Sequence, residues 1–133
     1  MPIIMHEELV ARYLIPAIKR EISEELTIRG YRPAEIARIL HVTPAAITQY
    51  LNQKRAQRVN FPLSIKRVIR QSVDLLLQSE SATLLRQELN KIIEASRRER
   101  ILCDLHKELD PWTPEDCCSM CIRSEYCQGT MSC

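Results

Sequence analysis

Residues 33–53, with the sequence PAEIARILHVTPAAITQYLNQ, decide the fold that we expect for this chain. Five apolar side chains recur there at the spacing that faces inward when two short helices cross. They are Ile36, Leu40, Val42, Ile47 and Tyr50. Thr43 can cap the second helix, and Pro44 suits its first position. The stretch therefore predicts two helices joined by a tight turn.

The turn itself contains His41 at the position where such turns usually carry glycine. A positive φ is uncommon for a residue with a Cβ atom, although histidine tolerates it better than most. Ala37 is small, as the close crossing of the second helix requires. We therefore expect a helix-turn-helix that departs from the usual turn residue.

Length and composition limit the class of protein. The 133 residues suffice for one domain of ordinary size, or for a small domain with an appendage. The two glycines, Gly30 and Gly129, exclude a glycine-rich phosphate loop. No carboxylate pair or nucleophile–base arrangement stands out, so we do not expect an enzyme. Few aromatic residues and no alternating strand pattern predict an all-α fold.

Charge is segregated along the chain although the formal net charge is only +2. Residues 27–73 contain nine basic residues against one acidic residue, Glu35. The basic residues are Arg29, Arg32, Arg38, Lys54, Arg55, Arg58, Lys66, Arg67 and Arg70. Both flanking segments are net acidic. Neutralisation of DNA phosphates requires such a basic region, and a solvated basic face is the alternative.

The helical period predicts elements on both sides of residues 33–53. An opening helix over residues 6–29 ends at Gly30, and Pro16 interrupts it so that a second helix starts near Ile15. A polar, basic connection follows residue 51. Another helix spans residues 62–78, and a longer one runs from about residue 82 to residue 109. The apolar stripe assigned to this last helix comprises Leu85, Leu89, Ile92, Leu102, Leu105 and Leu109.

The last two helices predict a hairpin. Leu75, Leu77, Leu84 and Ile93 would be left exposed on a monomer, so we expect a homodimer. Packing of these residues on the first domain is the alternative. We accordingly divide the chain into a helix-turn-helix domain (residues 1–59), a dimerisation hairpin (residues 60–110) and a cysteine-rich tail (residues 111–133).

Only the first turns of a recognition helix reach base edges. The candidates are Thr43, Ala45, Ala46, Thr48, Gln49, Asn52 and Gln53. The amide of Gln49 can pair with adenine through two hydrogen bonds, and the alanine methyls can contact thymine methyls, which favours A·T-containing sites. Lys54, Arg55 and Arg58 lie beyond the helix and are expected to bind phosphates.

A longer stretch, residues 14–55, reads LIPAIKREISEELTIRGYRPAEIARILHVTPAAITQYLNQKR. It resembles the lambda-repressor-like (XRE) helix-turn-helix family, especially predicted archaeal transcriptional regulators. The resemblance covers roughly the first 55 residues. It implies a domain of four or five helices, double-stranded operator DNA as the ligand, and a homodimer on a pseudo-palindromic site.

All six cysteines lie in the last 31 residues. The first residues have no basic segment followed by a continuous apolar run, so we expect neither a signal peptide nor a membrane span. The expected setting is cytoplasmic and reducing, which favours metal-ligating thiolates over structural disulfides.

Cys118, Cys121 and Cys127 have the spacing C-x2-C-x5-C, and Cys103 can supply a fourth ligand. Four thiolates suit a [4Fe-4S] cluster or a zinc ion. The single short C-x2-C pair favours the cluster, because thiolate zinc sites usually use two. The spacing resembles the cluster ligands of WhiB-like regulators and the endonuclease III cluster loop. Cys117 and Cys133 are alternate ligands, and a thiol–disulfide switch is a third interpretation.

Together these features predict a DNA-binding transcription regulator that senses redox state, oxygen or iron. Two recognition helices must lie about 34 Å apart, one turn of DNA, so a shift of the long helix would change operator affinity. One alternative is an iron–sulfur accessory protein that uses the helix-turn-helix for protein contacts. Another is a DNA-binding protein with structural zinc.

Overall fold

The computed structural model describes residues 3–111, apart from the side chains of Lys54 and Arg55. This range is helical and contains no strand, which confirms the all-α class. None of its helices combines the length and the apolar character needed to cross a bilayer. The elements are α1 (His6–Leu9), a π-helical segment (Val10–Leu14), α2 (Ile15–Ile28), α3 (Pro33–Ile39), α4 (Pro44–Asn52), α5 (Lys54–Gln57), α6 (Leu63–Gln78), α7 (Ala82–Arg98) and α8 (Cys103–Leu109).

Helix α2 starts at Ile15, as predicted from Pro16. Proline has no N–H group to donate within a helix, so it is best tolerated in a first turn, and the wider π-helical turn immediately precedes it. At the other end Gly30 has a φ of +96°, and its N–H donates to the carbonyl of Thr27 at 3.0 Å. The N–H of Tyr31 donates to Leu26 at 3.0 Å. These paired bonds form a Schellman cap and confirm Gly30 as the stop.

Helix α2 is the centre of the core. Its Ile18, Ile22 and Leu26 are fully buried, and it packs against α3, α4, α5, α6 and α7. Ile65, Ile69 and Val73 of α6 and Ile92 of α7 belong to the same buried cluster. The helices after residue 60 therefore share one core with the helices before it.

The hairpin α6–α7 packs on this core. Of the side chains expected to be exposed on a monomer, Leu77, Leu84 and Ile93 are half-buried against the core, and Leu75 remains 37% exposed. The alternative of packing on the first domain thus accounts for three of the four residues.

The predicted single helix over residues 82–109 is wrong, because α7 ends at Arg98 and α8 begins at Cys103. Arg100 has a φ of +56°, and the N–H of Ile101 donates to the carbonyl of Ser96 at 3.3 Å. At 3.6 residues per turn, Leu105 would point about 140° away from Ile92 on an uninterrupted helix. The break lets both side chains enter the core.

The segment after residue 51 is more ordered than a plain connection. It contains α5, and Ala56, Val59 and Phe61 are buried in the core. Their spacing fits neither a helical nor a strand period across the whole segment, so sequence periodicity did not identify them.

Candidate nucleic-acid interface

The turn between α3 and α4 has the predicted geometry. His41 has a φ of +54°, and its N–H donates to the carbonyl of Arg38 at 3.3 Å. The N–H of Val42 donates to the carbonyl of Ala37 at 2.9 Å. This pair of bonds is the Schellman arrangement that glycine usually completes, and the expectation for His41 is confirmed.

Helix α4 starts where the sequence predicts. The hydroxyl oxygen of Thr43 accepts a hydrogen bond from the N–H of Ala46 at 3.2 Å, and Pro44 is the first helical residue. Ile47 is 2% exposed, so one face of α4 is fixed in the core. At the other end, Nζ of Lys19 lies 5.4 Å from the centre of the Tyr50 ring and 3.4 Å from its hydroxyl oxygen. These contacts join α4 to α2 and orient its outer face.

The outer face of α4 carries most of the predicted base-contacting residues. Thr43, Ala45, Thr48, Gln49 and Asn52 are exposed, whereas Ala46 and Gln53 are half-buried. The exposed groups are hydroxyls, a methyl and amides, which match the donors, acceptors and methyl groups of the major groove. Glu35, the one acidic residue of residues 27–73, accepts a hydrogen bond from the N–H of Arg32 at 3.1 Å.

Two residues of the basic segment are paired with acidic residues of α6 and of the connection between α6 and α7. Arg29 is 2.6 Å from Asp74, and Arg38 is 3.3 Å from Glu80. Sequence reasoning missed these pairs, because the partners are far apart in the chain and no local pattern links them. The phosphate-binding capacity of the segment is therefore lower than its count of charges indicates.

Arg58, one of the three predicted phosphate-binding residues, is also paired. Its guanidinium lies 2.5 Å from Oε1 of Glu108 on α8, and both side chains are substantially exposed. Lys54 and Arg55 precede it in α5. The end of the predicted helix-turn-helix domain is thus in direct contact with the helix that begins at Cys103.

The basic residues of α6 lie in different surroundings. Lys66 and Arg70 are close enough to Glu21 of α2 to lower its pKa, although burial has the larger effect and raises the pKa of Glu21 overall. Helix α2 packs against both α4 and α6. Lys66 and Arg70, although they belong to the basic segment of the sequence, therefore lie near Glu21 of α2.

Of the predicted metal ligands, Cys103 is described, and Cys117, Cys118, Cys121, Cys127 and Cys133 lie outside the described residues. Cys103 is half-buried at the first position of α8 and is disulfide-bonded. Within residues 3–111, no three side chains of histidine, cysteine, aspartate or glutamate converge on a point that could hold a metal ion. Ligation by Cys103 stays a prediction.

Helix α8 is attached to the first residues of the chain. Oδ2 of Asp110 accepts a hydrogen bond from the N–H of Ile4 at 2.8 Å, and Nε2 of His106 is 2.6 Å from the carbonyl oxygen of Ile4. The nearby His6 has a buried Nδ1 that forms no hydrogen bond with the described residues. Burial lowers the pKa of His6, and the charge of Arg97 lowers it further.

Comparison of the chain with protein-family models, curated proteins and solved structures gives no significant match. Function is therefore inferred from the geometry of α3 and α4 and from the charges around them.

Proposed function

We propose that this chain is a sequence-specific DNA-binding transcription regulator in which α4 enters the major groove. The observation that supports the proposal is the exposed face of α4, with Thr48 and Gln49 at its centre and no acidic side chain on α4 or in the turn before it. From residue 36 to residue 73 the sequence contains no acidic residue. The resemblance of residues 14–55 to lambda-repressor-like regulators agrees with it.

The side chains of this surface are expected to have two different roles, base recognition and phosphate binding. The side-chain amide of Gln49 can donate to N7 of adenine and accept from its N6 amino group, so it would specify a base pair. Lys54, Arg55 and Arg58 would neutralise phosphates, which gives affinity without sequence preference. Two copies of the chain would present two α4 helices about 34 Å apart on a pseudo-palindromic duplex.

For the cysteines, we propose that Cys103, Cys118, Cys121 and Cys127 hold a [4Fe-4S] cluster, with zinc as the alternative metal. Such a cluster supplies a redox- and oxygen-sensitive group. The half-buried position of Cys103 suits a ligand that is shielded on one side. A thiol–disulfide switch among the same cysteines is the second candidate, because oxidised sulfurs are not thiolate ligands.

Selection from a random pool of duplexes by the purified full chain tests the DNA-binding proposal. The expected result is enrichment of A·T-containing half-sites spaced by one helical turn or a multiple of it. The affinity should also fall steeply with salt, with a slope of log K against log salt of about −0.9 for each neutralised phosphate. Absence of enrichment and a flat salt dependence would favour a helix-turn-helix that contacts protein.

Metal analysis of anaerobically purified protein, together with its visible absorption, tests the cysteine proposal. Iron and acid-labile sulfide that disappear in Cys103→Ser support the cluster. Colourless protein with stoichiometric zinc would replace the cluster by zinc. Metal-free protein whose DNA affinity changes with a dithiol reductant would support the switch.

A further inference from the structure

The ion pair between Arg58 and Glu108 links the end of the predicted helix-turn-helix domain to the helix that begins at Cys103. Arg58 follows α5 directly and is one of the residues expected to bind phosphate. Glu108 lies in the last turn of α8, whose first residue is Cys103. The guanidinium and the carboxylate are 2.5 Å apart, and the two side chains are 38% and 64% exposed. DNA and Glu108 can therefore reach the same guanidinium from solvent.

A carboxylate and a phosphate present similar oxygen acceptors to arginine, and each can accept two parallel N–H bonds. While Glu108 occupies the guanidinium, fewer of its donors are available to a phosphate oxygen. A duplex that uses Arg58 must also approach the negative charge of Glu108. Both effects oppose DNA binding at this position.

We propose that Glu108 is an intramolecular competitor for Arg58, an autoinhibitory contact that lowers DNA affinity while α8 occupies its observed position. This inference rests on the proposed DNA-binding function and assigns a means of regulation to that site. Displacement of α8 frees Arg58 for phosphate and removes the acidic group from the interface.

The surroundings of α8 fit this role. The left-handed residue Arg100 separates α8 from α7, so α8 is not a rigid continuation of the hairpin. The Ile4 N–H donates a hydrogen bond to the Asp110 carboxylate, and the Ile4 carbonyl oxygen is in hydrogen-bond contact with Nε2 of His106, so α8 and the residue after it are attached to the first residues of the chain. Cys103 and Glu108 lie on this same short helix.

The size of the effect follows from exposure. Ion pairs of exposed side chains are weak, so loss of Glu108 should raise DNA affinity by about 1.5-fold to 5-fold. Arg58→Gln should lower affinity and reduce the magnitude of the salt slope by about 0.9, the contribution of one phosphate.

The experiment measures binding of the full chain to a fluorescein-labelled duplex of mixed sequence and about 30 base pairs, three helical turns. Phosphate contacts do not need an operator, so this probe is sufficient. The variants are Glu108→Gln, Arg58→Gln and the double substitution. Asp104→Asn is the matched control, because Asp104 is an exposed carboxylate on the same helix. Thermal unfolding of each variant confirms that it is folded.

The proposal expects Glu108→Gln to bind more tightly, Asp104→Asn to bind as the wild type does, and the gain from Glu108→Gln to be smaller when Arg58 is already replaced. Equal gains from Glu108→Gln and Asp104→Asn would overturn it, since they would show a general effect of charge. A gain from Glu108→Gln that is as large in the Arg58→Gln background as in the wild-type background would also overturn it. If the wild-type chain does not bind the duplex at all, the DNA-binding function itself fails. If the wild-type chain binds the duplex and Glu108→Gln does not change its affinity, the autoinhibitory contact is refuted and the DNA-binding function stands.

Discussion

The N–H of Val42 donates a 2.9 Å hydrogen bond to the carbonyl oxygen of Ala37, across the turn that separates α3 from α4. The bond spans His41, the residue with positive φ. The direction in which α4 leaves the turn is therefore set by backbone geometry, with Ile36 and Ile47 buried beneath it. The outward orientation of Gln49 depends on this arrangement.

His41→Gly should stabilise the protein by about 0.5–1 kcal/mol. A left-handed backbone conformation costs a residue with a Cβ atom about 1–2 kcal/mol, and glycine avoids this cost. Glycine also makes the unfolded chain more flexible, which lowers the free energy of unfolding by about 0.4–1 kcal/mol and offsets part of the gain. His41→Val should be destabilising, because β-branched residues fit this region worst. Urea unfolding measures both changes. A less stable His41→Gly variant would show that the side chain of His41 makes a contribution that outweighs its backbone conformation.

Gln49→Ala should reduce discrimination at one base pair of a selected operator by about 1–3 kcal/mol, while affinity for mixed-sequence DNA stays nearly unchanged. The reason is that loss of a bidentate amide removes a base contact and no phosphate contact. Competition binding with operators substituted at each position measures the change. Gln71→Ala, an exposed glutamine on α6, is the matched control and should leave the profile unchanged. A uniform loss of affinity on all sequences would place Gln49 among the phosphate-binding residues.

The stability of the protein should fall as the pH is lowered from about 7 to about 5, in part through His6. Burial lowers the pKa of folded His6 below its ordinary value of 6.5. The unfolded chain therefore takes up a proton at this position as the pH falls through 6.5, whereas folded His6 takes it up only at a lower pH, so acidification favours unfolding. Above the unfolded pKa of 6.5 His6 is neutral in both states and costs the folded state nothing, and the cost appears as the pH falls below that value. Urea midpoints measured across this range report it.

His6→Leu should flatten this pH dependence, because leucine has no proton to take up. Gln71→Leu is the control, since Gln71 is exposed and does not titrate, so its replacement should leave the slope intact. An unchanged slope in His6→Leu would assign the pH dependence to other groups.

A fragment of residues 1–59 should not unfold cooperatively. It lacks Ile65, Ile69, Val73 and Leu76, which are almost completely buried in the shared core. Each buried side chain of this size contributes about 1.5–3 kcal/mol, so the four together are comparable with the about 5–15 kcal/mol net stability of a domain. Circular dichroism during urea titration is the measurement, with a fragment of residues 1–110 as control. Cooperative unfolding of the shorter fragment would establish a boundary at residue 59.

Sequence reasoning located α3, the turn and α4 because their determinants are local. Thr43 and Pro44 cap and start α4 through their own backbone chemistry, and Gly30 and Pro16 act in the same way on α2. The positive φ of His41 could likewise be predicted, because His41 occupies the position at which helix-turn-helix turns usually carry glycine. The exposure of Gln49 followed from the helical period once Ile47 was assigned to the core.

What sequence reasoning missed depends on contacts between distant residues. The helix break at Arg100 contains no glycine or proline, so the sequence carries no signal for it. The break allows Leu102 and Leu105 to pack in a core formed mainly by α2. The pairing of Arg58 with Glu108 depends on where the break directs α8. Local patterns carry no information about the break or the ion pair, because both depend on residues that are distant in sequence.

The left-handed turn at Arg100 has a practical consequence for protein chemistry. Arg100 is an exposed arginine outside any helix, between two ordered helices, and exposed turns of this kind are preferred sites of proteolysis. Limited trypsin digestion should cut there before it cuts within the helices. After that single cut, α8 would be retained by its contacts with Ile4 and Arg58 and by the burial of Leu105, and denaturant would release it as a separate peptide.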